Sequence, residues 1–365
     1  MLPVFIFWAA REGFGLESSE AHYVVFPLLA SVIFSLVGGA RFGAFLGAIF
    51  VIPVVFLGSR YAFSFSVTSS SSDVILTRFN RDSEETETSV LREQIYRFLE
   101  KADHKRVRRS YQSVESHSSA RDAFPNAPIV VWGKNERVGV SFQKSEFPFE
   151  SVPVFLGKQA RTLQVISTIP GFQVSLQPVN QTGEFLAHIL KAELLEQATP
   201  DWRNSGEQLQ SIEEALLSGS AIRALWTSNG HLAYPLWKLG NIALLDFGRL
   251  GMPHGELVCA NRQYSAAASK LQPKDNPPLR AAIFNNKAVV SLLLATNGQR
   301  SDVERRKGIR TARELFKKAD AISEKKSAWT PKRYITKVVR RNLRILKNLT
   351  SQYHKRKKAI KRKSD

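Results

Sequence analysis

Cysteine is almost absent from this 365-residue chain, where Cys259 stands alone. A single cysteine excludes an intrachain disulfide framework and any multi-cysteine metal site, and in a helical stretch it reads as a small packed hydrophobe. Histidine offers little more. His22, His104, His117, His188, His231, His254 and His354 are scattered, without His-x-x-x-His or His-Glu-x-x-His spacing, so no metal site is expected. His254 lies five residues before Cys259, off the helical face that a spacing of four would share, which argues against a cysteine nucleophile with its own base. No Gly-x-x-x-x-Gly-Lys-Ser/Thr loop and no Gly-x-Gly-x-x-Gly after a strand occurs, so neither route to nucleotide binding is supported. Glu84 with Glu85, and Glu213 with Glu214, read as solvated helix-surface pairs rather than an acid and a base set apart by environment. No catalytic residue and no cofactor are expected.

Acidic residues are also scarce, with 32 Asp and Glu against 52 Lys and Arg and a net charge of +20. Residues 1–59 hold Arg11 and Arg41 against Glu12, Glu17 and Glu20, so they carry −1 and the remainder carries +21. A surplus of that size favours anionic lipid head groups, nucleic acid or an acidic protein partner, and says nothing of fold.

What the chain has in abundance is apolar sequence near its beginning. Ala21 to Ala40 is a run of 20 residues whose one ionisable side chain is His22, and Phe42 to Ser59 is a run of 18 with no charge. About 20 apolar residues at ~1.5 Å each cross ~30 Å of hydrocarbon, and neither run leaves a polar stripe for water. The pattern predicts two transmembrane helices hinged at Gly38-Gly39-Ala40-Arg41, against the alternative of two buried core helices. Pro3 to Ala10 is too short and too poor in preceding basic residues for a cleavable signal peptide. Arg11, Arg60 and Arg78 on the flanks against Arg41 in the turn place both flanks in the cytoplasm, with the chain integral to an inner or plasma membrane.

The expected organisation follows from composition. Residues 1–20 are an N-terminal segment, 21–59 the transmembrane hairpin, 60–72 a Ser-rich linker, 73–180 a small α/β domain, 181–330 an all-α helical domain, and 331–365 a basic amphipathic helix and tail. The fold class is thus a membrane-anchored α+β chain. Asp73 to Phe79 reads as a strand, and Val90, Leu91, Ile95, Phe98 and Leu99 recur at helical spacing behind Glu84, Glu85 and Glu87. Lys105 to Gln112 reads as a second strand and Ser116 to Ala123 as a short helix. Pro128 to Gly133 and Arg137 to Phe142 pair across Lys134-Asn135-Glu136. Residues 145–180 read as short strands or an extended connection. Helix then dominates.

This order of strand, helix, strand, short helix and Ile129-Val-Val-Trp-Gly133 hairpin resembles the small domain at the amino-terminal part of the Tol translocation protein. That resemblance covers residues 73–145, rests on pattern, and implies a binding or assembly module. In the helical half, Ala281-Ala-Ile-Phe-Asn-Asn-Lys-Ala288 followed by Ala312, Phe316 and Ala319 resembles a tetratricopeptide repeat. Thr296 to Lys307 lengthens the connection within it. A weaker copy has Leu236, Leu239, Gly240 and Ala243 in one helix and Tyr264 and Ala267 in the next, lengthened by Gly248 to Gly255. An unrelated helical bundle remains the alternative. If these are repeats, stacked pairs present a binding surface, and Asn285, Asn286, Trp237 and Arg280 are the candidate partner-binding residues.

Pro331 to Asp365 holds 14 Lys or Arg against one acid, Asp365. Ile335, Val339, Leu343, Leu346, Leu349 and Tyr353 make Tyr334 to Tyr353 an amphipathic helix expected to cap the last repeat. The tail residues Lys355, Arg356, Lys357, Lys358, Lys361, Arg362 and Lys363 are candidates for contact with an anionic surface, with a solvated end or nucleic acid as alternatives. The functional expectation is a non-enzymatic, membrane-anchored adaptor or scaffold that binds a protein partner. A membrane-tethered nucleic-acid-binding protein is the alternative.

Overall fold

The computed structural model describes residues 74–79, 87–101, 107–134, 137–142, 149–156, 159–175, 179–198, 205–221, 230–250, 254–272, 276–297, 301–324 and 332–364. The two expected membrane spans and the Ser-rich linker lie outside them. No helix among the described residues is long and apolar enough to cross a membrane.

The first half is a mixed sheet with two helices. Its elements are β1 (Val74–Arg78), α1 (Glu87–Lys101), β2 (Val107–Ser113), α2 (His117–Ala123), β3 (Ile129–Lys134) and β4 (Arg137–Phe142). They are followed by β5 (Phe149–Leu156), β6 (Gln159–Ile166) and β7 (Gly171–Ser175). β1 and β3 are parallel, joined through α1, β2 and α2, and β3, β4 and β7 are antiparallel neighbours, in the strand order β2-β1-β3-β4-β7. The central strands are buried on both faces, which is why Val74 to Leu76 and Ile129 to Trp132 read as unbroken apolar runs rather than alternating ones. α2 starts where Ser116 and Ser119 satisfy each other's backbone N–H groups in a capping box.

Residues 145–180 divide. β7 completes the five-stranded sheet, while β5 and β6 form a separate antiparallel hairpin. On β5 Val152 and Val154 are buried whereas Ser151, Pro153 and Phe155 are exposed, the period of two expected of a strand with one covered face, while Leu163 to Ile166 of β6 are buried throughout. Pro153 stands opposite Thr162, between the pairs Val152–Leu163 and Val154–Arg161. A residue with no N–H is tolerated in a strand whose far side has no neighbour to receive one.

The second half is helical. α3 (Val179–Ala198) packs on α4 (Ser205–Ala221), α5 (Ala233–Leu250) on α6 (His254–Lys270), and α7 (Pro277–Thr296) on α8 (Asp302–Glu324). α9 (Lys332–Ser364) closes the series against α8. Among the described residues this is an array of paired helices behind an α/β region. Two of the helix starts have a clear local cause. Asn276 in the left-handed region accepts from Leu279 N–H at 3.3 Å and is followed by Pro277 at the first helical position. Ser301 and Glu304 exchange backbone N–H bonds at 3.3 and 3.0 Å to start α8.

Two connections that the sequence suggests are lengthened are partly helix among the described residues. α8 already begins at Asp302, so most of the supposed insertion up to Lys307 continues the helix, and α5 runs on to Leu250 before α6 starts at His254. The run Glu304-Arg-Arg-Lys307 is made of good helix formers behind an acidic first turn, which accounts for the extension. α9 is likewise one helix of 33 residues, with no break between the amphipathic part and the tail. Its buried stripe is Ile335, Val338, Val339, Asn342, Leu346 and Leu349, with Leu343 at the margin. Cys259 sits half-buried on α6 beside the core, as a packed small residue.

Residues 72–108 and 113–365 form one compact unit. Its core does not stop where strands give way to helices. α1 packs on α3, and Tyr234 of α5 stacks on Phe172 and Phe142 of the sheet at 4.4 and 5.9 Å between ring centroids.

Candidate functional site

The β5–β6 hairpin lies against α5, α7 and α9, and this is where buried polar groups concentrate. In an antiparallel pair, alternate residues point their backbone groups at the partner strand and the rest point away. On β6 the outward groups of Gln164 and Ile166 meet asparagines. Asn342 of α9 accepts from Gln164 N–H at 2.9 Å and donates to Gln164 C=O at 2.7 Å. Asn286 of α7 does the same for Ile166, at 2.9 and 2.8 Å. Each amide thus imitates a neighbouring strand.

The asparagines are also chained to one another. Asn342 donates to Asn285 Oδ1 at 3.0 Å, Asn285 donates to Gln164 C=O at 3.1 Å and to Asn286 Oδ1 at 3.0 Å, and Asn286 donates to Asn241 Oδ1 at 2.8 Å. Tyr264 of α6 donates to the same Asn241 oxygen at 2.8 Å. Asn286 therefore uses all four of its hydrogen-bonding positions. Asn285, Asn286 and Asn342 are fully buried. Burial without such partners costs about 1–3 kcal/mol per group, so the ladder both satisfies β6 and fixes its register.

One residue further along, the chain enters a charged cluster. Lys238 of α5 lies 2.7 Å from Glu193 and 2.6 Å from Glu196, both on α3, and reaches Ser167 C=O at 3.5 Å. Tyr234 donates to Glu193 Oε1 at 2.6 Å, and Gln208 of α4 donates to Glu196 at 3.2 Å. Burial alone pulls the Lys238 ammonium down, but the two carboxylates outweigh it and the net shift is upward, so the cation stays charged. Burial and the Glu193 charge push the Tyr234 phenol well up, so it stays a neutral donor. A buried pair of this kind is weak evidence for stability, yet removing one member strands the other charge.

A histidine–hydroxyl contact lies in the α/β region. Trp132 Nε1 donates to Ser141 Oγ at 2.8 Å, and Ser141 Oγ lies 2.7 Å from His117 Nδ1. The serine oxygen accepts from the indole and links it to the imidazole. Burial pushes His117 down to about 3. A general base works best with a pKa near the operating pH, and this imidazole is far from it. The contact is a rigid core bond that orients Trp132.

The residues singled out from sequence fall in different places. Asn285 and Asn286 are in the ladder, and as placed their amides are engaged by this chain's own β6. Trp237 is fully buried on α5, 5.6 Å between centroids from Tyr234, with the Lys238 ammonium 5.6 Å from its ring. Arg280 is half-buried on α7, its guanidinium 5.8 Å from the Phe284 ring centroid, and does not join the ladder. Lys355, Arg356, Lys357, Lys358, Lys361, Arg362 and Lys363 lie along α9, and their side chains are outside the described residues. Trp202, Trp226 and Trp329 are also outside.

Asn342, Asn241, Lys238 and Glu193 were not singled out. Signals for two of them were present. Asn342 interrupts the apolar stripe of α9, and Lys238 is the lone charge in α5 before Asp246. A polar side chain on a helix's buried face has to find a partner, though sequence does not say which.

No protein-family model matches this sequence, and no curated protein and no solved structure matches it either, so the functional reading rests on the chain's own residues.

Proposed function

We propose that this chain is a membrane-anchored adaptor, in which tetratricopeptide-like helix pairs hold a protein partner and the two apolar runs at 21–59 hold the assembly at a bilayer. The observation that carries the reading is the paired-helix array itself, together with what covers it. The face made by α5, α7 and α9 is filled by the β5–β6 hairpin, so partner contact falls to the outer helix of each pair. There α4, α6 and α8 each expose one large apolar side chain, Leu217, Val258 and Val303. Single exposed hydrophobes are ordinary on any surface, and the support here is their recurrence on the equivalent helix of three successive pairs.

The test is photo-crosslinking in cells, with a benzophenone amino acid at Leu217, Val258 or Val303 of the full chain and at Val90 of α1 as an exposed control. A discrete adduct of one mass from the three array positions and none from Val90 is the expected result. No adduct from any of the three would overturn the adaptor reading. Alkaline carbonate should leave the full chain in the membrane pellet and release a chain lacking 21–59.

A membrane-tethered nucleic-acid binder is the second reading, supported by the +21 of residues 60–365. It requires binding that survives loss of the tail. Affinity that disappears with the tail and falls steeply with salt reports counterion release alone.

A further inference from the structure

α9 carries no acidic residue from Lys332 to Ser364, and its charge is not distributed evenly around it. At 3.6 residues per turn, Ile335, Val338, Val339, Asn342, Leu346 and Leu349 occupy one side, and these are the residues buried against α8, β6 and α7. Lys337, Arg341, Arg344 and Lys347 occupy an arc about 120° wide on the opposite side, and all four are exposed. None of the four has an ion pair with another described residue. Arg340 falls within the same arc but differs from them, because Asp320 and Glu324 of α8 already hold its guanidinium. From Lys337 to Lys347 the row spans about 15 Å of α9.

A basic amphipathic helix whose apolar face is free lies in a membrane interface with that face sunk among acyl chains. The packing excludes that mode, since the apolar face is spent on the protein core. What is left is a rigid row of cations whose spacing is set by a helix that cannot roll. We infer that the Lys337–Arg341–Arg344–Lys347 face of α9 docks on the anionic head groups of a phospholipid leaflet, by charge alone and without insertion.

Charge complementarity admits a nucleic-acid backbone as well, and two observations favour lipid. Single-stranded nucleic acid is held by aromatic platforms interleaved with cations, and the exposed arc of α9 has no aromatic among its described residues. The second observation is the pair of apolar runs at 21–59 in the same chain, which under the proposed function confine α9 to the neighbourhood of a bilayer. The inference rests on that reading for its local concentration, though not for its chemistry. Each basic group near an anionic leaflet raises binding roughly five-fold, so four aligned groups on a tethered helix suffice without an apolar contribution.

The test uses the full chain in vesicles, with Cys259→Ser removing the native thiol and Ser351→Cys placing an environment-sensitive fluorophore on the exposed arc. A blue shift in vesicles of phosphatidylcholine with phosphatidylglycerol, absent in phosphatidylcholine alone and reversed near 1 M salt, where screening shortens to about 3 Å, is the expected result. The quadruple variant Lys337→Gln, Arg341→Gln, Arg344→Gln, Lys347→Gln should lose the shift while keeping its helical circular dichroism. Identical emission in both lipids, or a shift that survives in the quadruple variant, overturns the docking. So does a shift produced in neutral vesicles by duplex RNA or DNA, which assigns the face to nucleic acid instead. Anchoring is read separately, by flotation with neutral vesicles after an alkaline wash. Flotation without the shift overturns the docking and spares the anchor, whereas the shift with flotation lost sustains the docking and overturns the anchor.

Discussion

Asn286 shows how much one amide is asked to do. It holds both backbone groups of Ile166, accepts from Asn285 and donates to Asn241, all out of contact with water. Asn286→Ala removes every one of those bonds and leaves a buried N–H and a buried C=O on β6 with no partner. At about 1–3 kcal/mol for each stranded group, the full chain should lose roughly 2–6 kcal/mol, read as a lower denaturant midpoint at an unchanged slope. A loss under about 1 kcal/mol would mean that water replaces the amide and the ladder is not a structural requirement. The asparagine pair was visible in sequence as part of the Asn-Asn-x-Ala pattern. Its partner strand was not, because Gln164 and Ile166 lie some 120 positions away and offer only backbone groups, which every residue carries.

At the scale of elements, helix pairing depends on close approach. Gly240 of α5 faces Tyr264 of α6, and a Cβ added at Gly240 would stand 2.6 Å from the Tyr264 ring. The ring cannot step aside freely, since its hydroxyl is bonded to Asn241 one residue on from Gly240. Gly240→Val should therefore cost about 1–3 kcal/mol or more through overpacking, and should shift the amide signals of α6 while leaving those of β1 and β3 in place. A neutral substitution would show that the two helices separate cheaply. The small residues and the aromatic of this pair were legible from their spacing, as were β1, the β3–β4 hairpin and α2 with its Ser116 start. Helix ends were less so. Asp302 to Lys307 looked like an insertion because charge and the absence of apolar periodicity resemble a loop, whereas local propensity and an N-terminal cap made it helix.

Across the whole described unit, one core joins the sheet to the helix pairs. A stack of pairs alone couples only neighbours and can unravel from an end. Here β5 and β6 touch α5, α7 and α9, members of different pairs, and Tyr234 ties α5 to β4 and β7. That arrangement predicts one cooperative transition for the solubilised full chain. Far-ultraviolet circular dichroism and tryptophan emission, reported in part by Trp132 in the sheet and Trp237 in α5, should lose signal at the same denaturant concentration. Two separated midpoints would mean that the α/β and helical parts unfold independently. What the sequence by itself determined here is everything set by neighbours along the chain: periodicity, caps, the basic stripe of α9 and the apolar runs at 21–59. Only the tertiary structure decided that the Asn285–Asn286 face is filled by β6, that the apolar side of α9 is committed to the core, and that Lys238 lies between Glu193 and Glu196. Those are pairings between segments far apart in sequence, chosen by which buried polar groups satisfy one another, and no local pattern encodes that choice.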